Sequence, residues 1–302
     1  MPHASNPADK QLLVLINPAS RSGGDRADQL DAGVSQLREA GWSVEVRETC
    51  GPEDAAASIH GARVDIVAIG GGDGTVSGCA RALVERGLPF AVLPMGTAND
   101  LARSLGIESL EQSFKAIRDG RKTRIDLAQI GDEYFFNVAN LGLGVQVTEA
   151  LTPDVKRRWG VFSYLKAVSE ALTRRNQFKV RLEIDGRKFR LRSMQLAVGN
   201  GRFYGGGNVV HEEATISDSR LHLYSLKPQG LLELLSLAPF IRLGQHRVSQ
   251  RIFTESGAEV HIETSPPGMA VHADGEPVAK TPVSIRVVAG VIEAVVPSSA
   301  SM

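Results

Sequence analysis

Residues 68–78 read AIGGGDGTVSG, in which Gly70, Gly71, Gly72, Gly74 and Gly78 surround one aspartate, Asp73, and one threonine, Thr75. An apolar run ends in these glycines and a helical pattern follows. Backbone N–H groups therefore converge at the turn with the positive end of a helix dipole behind them, a geometry that suits a phosphate. Glycine also lets a ligand approach the backbone, because no Cβ intervenes. Taken alone, such a loop reads equally well as a tight strand-to-helix turn. Asp73 tilts the balance: a carboxylate among phosphate-directed amides repels the ligand unless a divalent cation or a sugar hydroxyl joins them, so a Mg²⁺-nucleotide suits the loop. No Gly-Lys-Ser/Thr follows, which excludes a P-loop, and Gly70-x-Gly72-x-x-Thr75 breaks the dinucleotide fingerprint.

A second polar turn comes one strand later in LPMGTANDLARSL (93–105), where Gly96 and Thr97 close a strand and Asn99 and Asp100 are placed to cap a helix. A third, INPASRSGG (16–24), ends the first strand. Polar turns on successive strands of a parallel sheet sit side by side at its carboxyl edge, where open α/β folds bind ligands.

The elements that must hold these turns follow from periodicity. Apolar runs at 12–16, 64–70 and 90–96 alternate with helical patterns at 28–40 and 75–86, the signature of βαβ units on a parallel sheet. From about Asp126 the pattern changes to short β-rich runs (FKVRLEI, SMQLAVGN, LHLYSL, AEVHIET, VSIRVV) between turns, interrupted by helical patterns near 159–174 and 229–243. The expected architecture is α/β plus β: an N-terminal α/β domain on a parallel sheet (1–125) and an antiparallel β-sandwich domain (126–290). Cys50 and Cys79 are the only cysteines, without metal or redox spacing, and the first ten residues lack a signal-peptide core, so a cytoplasmic setting is expected. No apolar run is long enough to span a bilayer.

Taken together, NPASRSGG (17–24), GGDGT (71–75), PMGTANDLAR (94–103), NVANLGLG (137–144), NGRFYGGG (200–207) and DGEP (274–277) resemble the diacylglycerol kinase catalytic-domain family, in particular bacterial lipid kinases related to sphingosine kinases. GGDGT is shared with NAD kinases; the Pro-x-Gly-Thr-x-Asn-Asp turn and the late Asp-Gly-Glu are more specific. The resemblance implies transfer of the γ-phosphoryl group of ATP to a lipid hydroxyl, diacylglycerol or a related glycerolipid or sphingoid lipid, in a cleft between the two domains, and a C-terminal strand at about 291–302 that returns to the first domain. It implies that Gly71, Gly72, Asp73, Gly74, Thr75 and Thr97 hold the nucleotide phosphates, beside Asn99 and Asp100, with Thr49 nearby and Asn17 shaping the pocket. Glu276 matches the family's general base, with Asp274 beside it, and Asp73 would organise Mg²⁺. A structural Mg²⁺ at Asp218, with Thr215 and Arg220 as carbonyl donors, is a further implication. On residues alone, Asp274-Gly275-Glu276-Pro277 is an ordinary hairpin turn.

Two positions depart from the family pattern: Val76-Ser77 stands where an Asn commonly follows GGDGT, and Ser219 replaces the Gly of an Asp-Gly turn. They keep a non-catalytic nucleotide- or lipid-binding regulator open beside the kinase, as GGDGT does an NAD-kinase-like activity. The chain's net charge is +0, yet residues 156–192 hold 12 basic and 3 acidic residues, 12 − 3 = +9. With Trp159, Phe162 and Tyr164 this segment suits transient contact with an anionic inner membrane surface or, equally, a solvated face. The apolar pattern at 230–244 suits an acyl pocket, contact with the membrane or a buried helix. No nucleic-acid motif accompanies the basic stretch, and a homodimer is open.

Overall fold

The structure is a computed structural model that describes residues 10–18, 24–143, 145, 177–211, 213–228 and 251–300. The expected helices near 159–174 and 229–243, the aromatic trio and most of the third turn lie outside these residues. The chain divides into two compact units, 1–127 with 289–302, and 128–288.

The first unit runs β1 (Gln11–Ile16), α1 (Gly24–Glu39), β2 (Ser43–Glu48), α2 (Pro52–Gly61), β3 (Ile66–Gly71), α3 (Asp73–Ser77), α4 (Ala80–Arg86), β4 (Phe90–Pro94), α5 (Asp100–Ser104), α6 (Leu110–Asp119) and β5 (Arg121–Ile130), which leads into the second unit. β1 pairs in parallel with β2 and β3, and β3 with β4. The apolar runs carry side chains buried on both faces, as a helix-covered parallel sheet requires. One face packs Leu12, Val14, Ala68 and Leu93 against Leu30 and Val34 of α1 and Phe114 and Ile117 of α6. The helix expected over 75–86 is two helices, α3 and α4, separated at Gly78 and Cys79. The break has a steric setting: a Cβ on Gly78 would lie 2.8 Å from the Pro52 ring.

The second unit continues with β6 (Glu133–Phe135), β7 (Val138–Gly142), β8 (Phe178–Ile184), β9 (Arg187–Ser193), β10 (Gln195–Gly199), β11 (Phe203–Tyr204), β12 (Asn208–Val209), β13 (Leu221–Leu226), β14 (Ile252–Gly257), β15 (Glu259–Ser265), β16 (Ala270–Ala273), β17 (Glu276–Lys280) and β18 (Val283–Val296). One antiparallel sheet has the order β14-β13-β10-β7-β16-β17; a second set pairs β9-β8-β15-β18. Alternation along β8 buries Phe178, Val180, Leu182 and Ile184 while 179, 181 and 183 face out. Those four meet Leu141, Leu196, Val198, Leu223 and Val271 of the other sheet in one core. β18 ends in the first unit, where Ala294 pairs in parallel with Phe90 of β4.

Candidate active site

Several of the glycines around the turn from β3 into α3 sit in close packing. A Cβ on Gly70 would lie 2.5 Å from Ile16 Cδ1, and one on Gly71 would lie 2.6 Å from the Thr75 side chain. Gly72 faces Gly96 of the second turn so closely that a Cβ on Gly96 would stand 2.4 Å from the Gly72 Cα. The two loops therefore touch backbone to backbone, which only glycine permits. Gly74 differs: it is exposed, and a Cβ there would meet nothing within 4 Å.

Asp73 has a structural task that the sequence does not disclose. Its carboxylate accepts hydrogen bonds from Asp100 N at 3.1 Å and Leu101 N at 2.9 Å, at the start of α5. It supplies from the neighbouring loop the cap that orphan amides at a helix start need. The expectation that Asn99 or Asp100 caps this helix is corrected here. Asn99 adopts a left-handed φ of 50° and brackets Gly96, its Oδ1 accepting from Gly96 N and its Nδ2 donating to Gly96 O. Asp100 is 2% exposed and pairs with Arg103 at 2.8 Å. A carboxylate at this turn therefore has a use without any ligand, joining two loops.

Further bonds tie down the same carboxyl edge. Met95 N donates to Gly71 O, Asn17 N to Gly70 O, and Thr49 N to Ile16 O. Asn17, Gly71, Gly72, Asp73, Gly74, Thr75 and Thr97 are thus collected along one edge of the sheet, with Thr97 exposed. Thr49 is only 3% exposed and its hydroxyl is turned to Ile16 O, so it braces the ends of β1 and β2 rather than facing a ligand. Sequence reasoning missed Arg26 on α1, whose guanidinium donates to Met95 O at 2.8 Å and fixes the second turn. No local spacing signals a contact across 69 residues.

In the second unit the Asp-Gly-Glu stretch is a hairpin turn between β16 and β17. Asp274 has φ 47° and Gly275 φ 96°. The Asp274 carboxylate accepts from three successive amides, Phe136 N at 2.9 Å, Asn137 N at 3.0 Å and Val138 N at 2.9 Å, while its own N–H donates to Val138 O. Such an amide nest is built to hold an anion, and here the anion is the protein's own. Glu276 is exposed at the head of β17, where it pairs with Ala273, and its carboxylate has no hydrogen-bond partner among the described residues.

The Asp218 loop also closes on itself. Asp218 accepts from Thr215 N at 3.0 Å, from Arg220 N at 2.9 Å and from the nearly buried His222 Nε2 at 2.8 Å. Burial pushes its pKa up, but the His222 bond and the two amide bonds outweigh that and hold it below the usual carboxylate value. Thr215 and Arg220 thus reach Asp218 through their N–H groups. Among the described residues no group of three or more His, Cys, Asp or Glu is arranged to hold a metal ion, and no helix is long and apolar enough to cross a membrane.

Comparison with known proteins bears on both units. Residues 11–130 match the family described as the diacylglycerol kinase catalytic domain, and residues 137–296 match the YegS C-terminal NAD kinase beta sandwich-like domain. A protein of Enterobacter sp. (strain 638) named "Probable lipid kinase YegS-like" is 34% identical over 281 residues, covering 89% of this chain and 90% of its own. The "Probable lipid kinase YegS" of Salmonella arizonae is 33% identical over 299 residues, covering 94% and 95%. A crystal structure of a diacylglycerol kinase from Bacillus anthracis shares the fold with a TM-score of 0.75 at 21% identity, over 97% of this chain and 98% of that one.

Proposed function

This chain belongs to the diacylglycerol kinase catalytic-domain family of lipid kinases, phosphotransferases with an alcohol acceptor, and from that premise we propose that it transfers the γ-phosphoryl group of ATP to the hydroxyl of a glycerolipid or sphingoid lipid at a membrane surface. The observation that carries the reading is the locked pair of loops at the carboxyl edge of the first sheet. Gly72 and Gly96 touch, Asp73 fastens the start of α5, and what stays open is the exposed Gly74 with Thr97. A glycine with open space around it fits close approach by phosphate oxygens.

In this reading the loop amides and the Thr97 hydroxyl orient the phosphates. Glu276 accepts the proton of the lipid hydroxyl as its oxygen forms the new bond to the γ-phosphorus, and the bond to the β–γ bridging oxygen breaks to release ADP. Asp274 is the positioning residue that holds the hairpin carrying Glu276. Mg²⁺ bound with the nucleotide would neutralise phosphate charge.

The test is transfer of labelled phosphate from ATP to diacylglycerol, monoacylglycerol, phosphatidylglycerol, sphingoid bases, ceramide and NAD, with and without Mg²⁺. A Mg²⁺-dependent lipid product is expected. Product with NAD alone, or with nothing, would overturn the reading.

A further inference from the structure

The outward face of β8 and β9 carries cations where the fold gains nothing from them. Cross-strand register sets Lys179 directly opposite Arg192 and Arg181 opposite Arg190, all exposed. Like charges placed opposite one another destabilise a sheet. Defence of a sheet edge accounts for cations on β9, whose one recorded neighbour is β8. It does not account for matching cations on β8, which lies between β9 and β15. Carboxylates offset part of the charge: Glu263 reaches Arg181 at 3.5 Å and Glu183 reaches Lys188 at 3.7 Å. Among the described residues Lys179, Arg190 and Arg192 have no recorded ion pair. Because the whole chain has net charge +0, attraction to an anion must come from a local patch such as this.

We propose that this face docks on an anionic lipid bilayer, the like-charged pairs being matched by lipid headgroups. The side chains stand about 6.6 Å apart along each strand and about 5 Å between strands, close enough for one patch of anionic headgroups to meet all four. Phe189 and Leu191 on the same strand turn to the core, so the face offers no aromatic platform for stacking bases, which single-stranded nucleic acid would need. The choice of a bilayer rests on the lipid-acceptor reading; the charge pattern does not.

The full-length chain is tested for co-sedimentation with phosphatidylcholine vesicles with and without phosphatidylserine, at low and high salt, in the absence of ATP. Binding that needs phosphatidylserine and weakens with salt is expected. The triple variant Lys179→Gln/Arg190→Gln/Arg192→Gln should bind about tenfold to a hundredfold more weakly, and Lys179→Gln or Arg192→Gln alone about fivefold. The triple variant should melt no lower than the parent, because like-charge contacts are removed. A control triple in the first unit, Arg63→Gln/Lys115→Gln/Lys122→Gln, should bind as the parent does. Equal loss in both triples, no loss in the first, or binding to an RNA homopolymer without binding to vesicles would overturn the proposal. Vesicle binding that persists while no lipid is phosphorylated would overturn the kinase reading and leave the docking face standing.

Discussion

Asp73 in the first unit and Asp274 in the second sit at the centre of the two motifs that most suggest chemistry, and both give their carboxylates to backbone amides from a distant stretch of chain. Asp73 takes two amides at the start of α5, where a helix end leaves donors unsatisfied. Asp274 takes three amides ahead of β7 from a left-handed turn residue. The first clip holds together two loops that already touch through glycine; the second fastens a hairpin tip, which has no such packing. The comparison teaches that an acid inside a motif can serve as a fastener, while its neighbour, Gly74 in one unit and Glu276 in the other, stays exposed.

Substitutions can break or sharpen that division. The largest effect is expected at Glu276: Glu276→Gln should lower turnover about a thousandfold with nucleotide affinity and melting temperature unchanged, and unaltered turnover would remove Glu276 as the base. Next comes Asp274→Ala, which leaves three amides without their anion and should cost about 3 kcal/mol in urea unfolding. Asp274→Asn, which tolerates the same backbone, should cost less. If Asp274→Asn instead abolishes turnover at full stability, Asp274 acts on the reaction and the parallel with Asp73 fails. Asp73→Asn, which keeps one of the two accepting oxygens, should cost about 1 kcal/mol for the lost hydrogen bond and leave the Mg²⁺ concentration needed for half-maximal activity where it was; a strong rise in that requirement would make Asp73 a metal ligand. The smallest effect is expected at Ser219, which holds φ 57°. Ser219→Gly should stabilise by up to about 1 kcal/mol in thermal melts, since a Cβ is disfavoured there.

Much of this was legible along the chain because it depends on local periodicity. The run FKVRLEI alternates and becomes β8 with alternate residues buried; the continuous apolar run at 12–16 becomes a strand buried on both faces. The Asp-Gly-Glu stretch reads as a hairpin, and it is one. Other features were not legible. Thr49 has the polarity of a ligand contact, but tertiary packing buries it. The single helix expected over 75–86 is broken where Gly78 approaches Pro52, a contact between segments far apart in sequence. The aromatics at 159–164, the 156–176 part of the basic stretch and the apolar pattern at 230–244 lie outside the described residues.

The sequence by itself determined the two-part architecture, the order of the loops along the sheet edge and the residue types able to handle phosphate and protons, because these follow from hydrophobic period, turn chemistry and side-chain functional groups. Tertiary structure alone decided which of those residues are fasteners. Asp73 finds its amides 27 and 28 residues away and Asp274 finds its own at separations of 136 to 138. Hydrogen bonds across such distances exist only once both segments have been brought together by the cores beneath them.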